Sequence, residues 1–573
     1  MTLICVPIFV EDPASALADA HEALHRGADL VEFRVDSFFT GGRDPAAQAE
    51  AERIVAMVGE CKLPCIVTCR PVLEGGQYDG PDDLRISLFE RLGTMAGPPA
   101  GGASGPMQHP PRYIDVELLT YTRSENLKQK VNLGVDHPAQ VRELSTSLIL
   151  STHDFHTRPL DLIRRIEQMF QEPACAVAKV AYRARSIRDN LELLDILLMA
   201  QEHGKPMIAL GMGPYGLMSR VLAPKFNGFL TFASLRRQSA TAPGQPVISD
   251  LVDLYRFRSI NSATKVYGVV GDPVEHSISP MVHNAGFEAV GHDGVYLPMP
   301  IPAGYEHFKA TVLAMLDHPG LDLAGLSVTI PHKENLVRLA REEWAEGDGR
   351  WEVDLLSEQC GAGNTLIVRR DGKGRATNFE VRNTDGAAAA DAVFAAVPEL
   401  RRAAVLGAGG TARAVAAALR NRGVEVMIVN RSQTRALALK ADLEGPSAEL
   451  VEGEASNPAR LPALKVLEAS ALAAAKPQAV INCTPVGMAG GPAPNESAIS
   501  WEVLCNLSDQ CVVADCVYRP LTTPLLAQAA SRHLRCIDGL AMFLGQAAEQ
   551  FSLWTDRSAP MQLFQTVARE SLA

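Results

Sequence analysis

Lys179 interrupts an otherwise apolar run, Ala176-Val-Ala-Lys-Val-Ala, with an ammonium group. Burial disfavours the charged form of an amine, by up to ~3–5 pH units when complete, and a neutral amine can attack a ketone to form a Schiff base. The competing role is a structural ion pair with an acid such as Glu117. His153, in Ser-Thr-His-Asp-Phe-His, is either a core histidine or a general base, and Glu117 could orient it in both cases. Leu30-Val-Glu-Phe-Arg-Val-Asp alternates strictly, so Glu32, Arg34 and Asp36 share one side of a strand and the apolar residues share the other. Arg70, Asp115, Glu117 and Asp154 stand at the ends of other apolar runs. So many charges on inward-facing strand ends call for a ligand.

A second constellation lies further along. Arg402-Ala-Ala-Val-Leu-Gly-Ala-Gly-Gly-Thr-Ala reads as strand, glycine turn and helix, in which Gly407, Gly409 and Gly410 let the backbone approach a pyrophosphate at a helix N-terminus; Ala412 stands where a third spaced glycine is usual. The next strand, Glu425-Val-Met-Ile-Val, ends in Asn430-Arg-Ser-Gln-Thr-Arg instead of an acid that would hold a free ribose 2′-hydroxyl. Asn430, Arg431, Ser432 and Arg435 therefore favour the 2′-phosphate of NADP over NAD, a solvated basic turn being the alternative.

These residues need a scaffold. From the start to about Arg258, eight apolar runs alternate with helical periodicity: Leu3–Phe9, Leu30–Val35, Cys65–Thr68, Tyr113–Glu117, Leu148–Ser151, Ala176–Ala181, Met207–Gly211 and Gly228–Phe232. That is the pattern and length of a (β/α)8 barrel, whose strand C-termini form the active-site mouth. The polar connector Ser259-Ile-Asn-Ser-Ala-Thr then precedes a new strand. The expected units are a barrel over 1–258, an α/β domain over 265–385 completed by about 540–573, and a Rossmann domain over 386–539. The Gly- and Pro-rich stretch Gly97–Pro111 reads as a surface insertion.

Composition excludes several classes. A formal net charge of −12 and the lack of a Lys/Arg run leave nothing to neutralise a nucleic-acid backbone. No apolar run approaches the ~18 residues of a membrane span. Eleven cysteines without a CxxC pair suit reduced thiols in the cytoplasm, and the Cys61, Cys65, Cys69 series reads as a turn entering a strand rather than as a metal site. The N-terminus begins directly with strand-like residues and shows neither a signal nor a transit segment.

Val31-Glu-Phe-Arg-Val-Asp, Thr68-Cys-Arg, Glu74-Gly-Gly, Asp115-Val-Glu, Thr152-His-Asp-Phe-His, Ala178-Lys-Val, Met218-Ser-Arg and Ala242-Pro-Gly-Gln, in this order, resemble type I 3-dehydroquinate dehydratase. The resemblance implies that Lys179 forms an iminium at the substrate C3 ketone, and that His153 removes the C2 proton and assists loss of the C1 hydroxyl. It also implies that Glu32, Arg34, Arg70, Arg220, Thr241 and Gln245 hold the substrate, Arg220 through its carboxylate. Thr241 replaces the family's serine, keeping the hydroxyl and adding a methyl group.

Gly271-Asp-Pro-Val-Glu-His-Ser-Ile-Ser-Pro, Leu326-Ser-Val-Thr-Ile-Pro-His-Lys, Gly361-Ala-Gly-Asn-Thr, Asn383-Thr-Asp-Gly, Ile481-Asn-Cys-Thr-Pro-Val-Gly-Met, Asp515-Cys-Val-Tyr-Arg-Pro and Asp538-Gly-Leu-Ala-Met resemble shikimate dehydrogenase. This implies a Lys333–Asp385 pair that protonates a carbonyl oxygen as hydride arrives. It implies Ser277, Ser279, Thr329, Asn364, Tyr518, Gln546 and Gln550 around a polyol carboxylate, and Met488 and Gly539 beside the cofactor. Trp344–Gln359 and Glu444–Lys476 are longer than a minimal member needs. The product of the first reaction is the substrate of the second. Quinate dehydrogenation in the second half, and a ligand-sensing regulator without catalysis, are the alternatives.

Overall fold

A computed structural model of the chain describes residues 1–95, 109–136, 145–372, 374–445 and 461–572. The chain divides into two compact units, Met1–Thr264 and Lys265–Ala573.

In the first unit eight parallel strands, β1 (Leu3–Phe9), β2 (Leu30–Arg34), β3 (Cys65–Thr68), β4 (Tyr113–Glu117), β5 (Ser147–Asp154), β6 (Cys175–Arg183), β7 (Met207–Met212) and β8 (Leu230–Phe232), pair in the order β7-β6-β5-β4-β3-β2-β1-β8. The seam between β7 and β8 is bridged by the Phe229 amide, which donates to the Met207 carbonyl at 2.8 Å. This is the expected (β/α)8 TIM barrel. Strand bounds differ from the sequence reading where polar residues continue a ladder. β5 runs on through Thr152, His153 and Asp154 because each pairs in register with β6, at Val180, Ala181 and Tyr182. β2 stops one residue short of the expectation because Val35–Ser37 winds into a 3-10 turn, in which the Asp36 carboxylate takes both the Arg34 guanidinium and the Gln77 amide.

The second unit holds two six-stranded sheets. β9 (Lys265–Gly271), β10 (Gly294–Pro300), β11 (Leu323–Val328), β12 (Trp351–Val353), β13 (Thr365–Arg370) and β14 (Ala376–Arg382) are ordered β10-β9-β11-β13-β14-β12. β15 (Arg402–Leu406), β16 (Glu425–Val429), β17 (Lys465–Leu467), β18 (Ala479–Asn482), β19 (Val512–Asp515) and β20 (Arg535–Ile537) are all parallel in the order β17-β16-β15-β18-β19-β20. That order reverses direction between β15 and β18, the place where doubly wound sheets open a ligand crevice. Two C-terminal helices, Gly539–Thr555 and Met561–Leu572, return to the first sheet, where Phe551, Trp554 and Phe564 join Tyr267 and Phe287 in one aromatic core.

The Trp344–Gln359 segment is structured: it contributes β12, which adds in parallel to β14, and a helix, Leu355–Cys360, N-capped by Asp354. Of the other two insertions, residues 96–108 and 446–460 lie outside the described residues, and Lys465–Leu467 supplies β17. Among the described residues no helix is long and apolar enough to cross a membrane.

Candidate active sites

The barrel mouth gathers Glu32, Arg34, Arg70, Glu74, His153, Lys179, Arg220, Thr241 and Gln245 around one cavity. Lys179 is 4% exposed; its Nζ lies 2.8 Å from Asp115 Oδ2, 3.5 Å from Glu32 Oε1 and 4.5 Å from the centre of the Phe232 ring. The lysine thus has acid partners, but not Glu117. Glu117 is taken by two buried arginines, Arg70 at 2.7 Å and Arg85 at 2.7 Å. Arg70 also donates to Asp115 and Ser151, so three protein groups occupy a guanidinium expected to hold the substrate. Burial alone would raise the Asp115 carboxyl pKa; Arg70 and Lys179 outweigh it and hold that carboxyl well below its usual range. A buried ionic lattice of this kind is tolerated only because every charge is matched.

His153 is partnered differently from the sequence expectation. Its Nδ1 lies 3.2 Å from Glu74 Oε2, and its backbone amide donates to the same oxygen at 3.0 Å. Burial, reinforced by the positive charges of Arg70 and Lys179, holds the imidazole well below its ordinary pKa, so the ring is neutral and able to accept a proton. Burial, with Glu117 adding to it, pushes the Glu74 carboxyl up to about 8. Two glycines deliver Glu74 to this position: a Cβ on Gly76 would sit 2.0 Å from the Arg70 carbonyl oxygen, and one on Gly75 would sit 2.1 Å from the Phe155 ring.

Arg220 is the exception to charge matching. It is buried and donates only to the carbonyls of Gly211, at 3.1 Å, and Phe232, at 3.4 Å; no carboxylate pairs with it among the described residues, and burial lowers its pKa to about 10. An uncompensated guanidinium facing a cavity is a receptor for an anion. Arg34, by contrast, is paired bidentately with Asp36. Gln245 Oε1 accepts from the Thr241 amide at 3.0 Å and its hydroxyl at 3.3 Å, which folds that loop over the mouth.

The cavity of the second unit has a volume of about 260 Å³ and is lined by Ser277, Ser279, Thr329, Lys333, Asn364, Asp385, Met488, Tyr518, Gln546 and Gln550, together with Thr411. Lys333 Nζ donates to Asp385 Oδ2 at 2.6 Å and to Thr411 Oγ1 at 2.8 Å. Asp385 is held in the first turn of the helix Thr384–Ala396, whose N-cap is Asn383. Asn364 and Gln550 reach the cavity with their amides largely engaged: Asn364 binds the Thr384 amide and hydroxyl, and Gln550 bridges Ser327 and Thr365. Gly539 does not line this cavity; it lets the C-terminal helix start against the Val517 carbonyl, which a Cβ would meet at 2.4 Å.

The glycine turn fits a dinucleotide. Gly407 has φ +116°, and a Cβ on Gly410 would lie 2.9 Å from Lys333 Cβ, so the turn packs directly on the lysine at the start of the helix Gly410–Asn421. Asn430 Nδ2 donates to the Ser432 carbonyl, and Ser432 Oγ caps the helix Gln433–Glu444, leaving Arg431 and Arg435 exposed without an acid partner among the described residues.

Family models match four stretches: type I 3-dehydroquinase over residues 4–262, shikimate dehydrogenase substrate binding domain over 269–349, shikimate/quinate 5-dehydrogenase over 390–473, and shikimate 5′-dehydrogenase C-terminal domain over 539–569. A bifunctional 3-dehydroquinate dehydratase/shikimate dehydrogenase of Arabidopsis thaliana, described as chloroplastic, is 33% identical over 583 residues, covering 98% of this chain and 83% of that protein. The chain belongs to this bifunctional family. A shikimate dehydrogenase (NADP(+)) of Paramagnetospirillum magneticum is 37% identical over 300 residues, 52% of this chain and 94% of its own length. The solved shikimate 5-dehydrogenase of Thermus thermophilus is 29% identical, covers 54% of this chain and 100% of its own, and has a TM-score of 0.43.

In the dehydratase unit the sequence reading missed the role of Glu74, whose signal was an acid followed by two glycines. In the dehydrogenase unit it missed Thr411, a hydroxyl in the first turn after the glycine loop, and Ser327, a lone polar residue in an apolar strand.

Proposed function

We propose that the barrel dehydrates 3-dehydroquinate to 3-dehydroshikimate through Lys179 and His153, and that the second unit reduces 3-dehydroshikimate to shikimate with NADPH through Lys333 and Asp385. The observation that carries this reading is that each cavity pairs a lysine and a carboxylate with polar groups suited to a polyol carboxylate.

In the barrel, Asp115 and Glu32 hold the Lys179 amine at the mouth while Arg220, which no carboxylate pairs among the described residues, takes the substrate carboxylate. Once the amine has displaced the C3 oxygen as water, the iminium is an electron sink. Neutral His153 accepts the C2 proton, with Glu74 behind its Nδ1, and returns a proton as the C1 hydroxyl leaves as water; a water molecule then hydrolyses the iminium, restoring the C3 ketone and the Lys179 amine.

In the second unit the bound nicotinamide would supply hydride. Gly407, Gly409 and Gly410 would receive its pyrophosphate at a helix N-terminus, Arg431 and Arg435 the 2′-phosphate, and Met488 its ring side. Lys333 gives a proton to the carbonyl oxygen, held in place by Asp385 and Thr411. Ser277, Ser279, Thr329, Tyr518 and Gln546 orient the ring hydroxyls and carboxylate. The free thiols fit a reducing compartment, and we place the enzyme in the cytoplasm.

The test is a pair of separate assays on single-site variants. Lys179→Met should abolish dehydration and the borohydride-trapped substrate adduct while leaving reduction of 3-dehydroshikimate intact; Lys333→Met should do the reverse. Loss of both activities in either variant, with the fold retained, would count against two independent sites.

A further inference from the structure

Outside the groups used above, the reductase cavity has two thiols on its wall. Cys483 and Cys516 follow the last residues of β18 and β19, Asn482 and Asp515, which pair in register, and the Cys516 amide donates to the Asn482 carbonyl at 2.9 Å. The two sulfurs are 3.6 Å apart. Among the described residues this is the one cysteine pair in sulfur contact; Cys5, Cys65, Cys69, Cys175, Cys360 and Cys511 are sealed in cores, whereas these two are only partly buried and open to the cavity. Facing residues on adjacent strands stand about 4.7–4.9 Å apart, within the ~4.4–6.8 Å Cα separation that a disulfide spans.

We propose that Cys483 and Cys516 are an oxidisable dithiol that a small hydroperoxide converts to a disulfide, silencing the reductase while the dehydratase continues; the proposal rests on reading this cavity as the reductase site. One thiol loses its proton to solvent and attacks a peroxide oxygen, breaking the O–O bond; the alcohol or water leaves and a sulfenic acid remains. The second thiol attacks that sulfur, forming the S–S bond and expelling the oxygen as water. Two thiols are oxidised and one hydroperoxide is reduced.

Loss of activity follows from position. Closing the sulfurs from 3.6 Å to about 2.0 Å draws together the segments that carry Met488 and Tyr518. Displacements on the order of 1 Å in a positioned site cost roughly a hundredfold in rate. The barrel contains neither cysteine, so the first activity is an internal control on the same chain.

The experiment treats the reduced full chain with hydrogen peroxide, alkylates free thiols with iodoacetamide, maps peptides by mass and assays both activities. The expected result is a linked peptide joining Cys483 to Cys516, formed in step with loss of the reductase. Dehydration should be retained, and dithiothreitol should restore reduction. Cys516→Ser and Cys483→Ser should each keep their own untreated reductase rate after peroxide. Reductase loss without the linked peptide, or the linked peptide with an unchanged reductase rate, would overturn the proposal. An untreated chain that never reduced 3-dehydroshikimate would remove the reading of the cavity and the silencing with it, while the linked peptide would still decide whether the dithiol closes.

Discussion

Thr411 accepts a hydrogen bond from Lys333 at 2.8 Å, so the helix that begins at the glycine loop and the lysine that lines the cavity are physically joined. The bond links the glycine loop to the residue we propose as proton donor. Thr411→Val keeps the shape and removes the acceptor. A hydrogen bond to a charged group contributes about 1.5–3 kcal/mol, so reductase kcat is expected to fall roughly 10- to 100-fold with dehydration unchanged. A rate within error of the parent would show that Asp385 alone positions the lysine.

Glu74 and His153 make a titration test. With the Glu74 carboxyl pushed up to about 8, the parent enzyme carries a largely protonated acid at neutral pH and an ionised one above that value. Glu74→Gln mimics the protonated form. Its deficit in dehydratase kcat/KM is therefore expected to be small near pH 6.5 and to widen as pH rises through 8. A deficit of constant size would contradict the pairing.

Arg431 and Arg435 are exposed and have no acid partner among the described residues. Arg431→Ala and Arg435→Ala are each expected to raise the KM for NADPH by roughly 10- to 100-fold, with little change in kcat and none in the KM for NADH. Equal losses with both cofactors would place the 2′-phosphate elsewhere.

His283 gives a stability prediction. It is stacked on Tyr296 with neither ring nitrogen partnered among the described residues, and burial lowers its pKa to about 3. Below the unfolded-state value of about 6.5 the unfolded chain binds a proton that the native state refuses, so stability falls as pH drops from about 6.5 towards 3. His283→Phe removes this effect, and the variant should gain about 2 kcal/mol relative to the parent between pH 6.5 and 5 in denaturant titrations. A difference that does not vary with pH would mean that the imidazole is solvated.

The pattern of what the sequence disclosed follows from locality. Strand β3 was legible because apolar runs and turn residues are local, and Lys179 stood out because an ammonium group in an apolar run is anomalous wherever it occurs. Its partner was not legible. Asp115 lies 64 positions away, and the choice between it and Glu117 was decided by two arginines, Arg70 and Arg85, that compete for Glu117. The same holds for Glu74, which only the chain reversal at Gly75 and Gly76 brings beneath His153. At Gly539 the motif was legible but the local reason for its glycine was not: the helix it opens packs against the Val517 carbonyl, which a Cβ would meet at 2.4 Å.

The most direct measurement is NADPH oxidation by the purified chain supplied with 3-dehydroquinate alone, since hydride transfer can follow only if the barrel has first produced 3-dehydroshikimate. The expected result is consumption of NADPH with shikimate formed in equal amount. Absence of consumption, with NADPH oxidised normally when 3-dehydroshikimate is added directly, would contradict the dehydratase assignment; absence in both cases would contradict the reductase assignment.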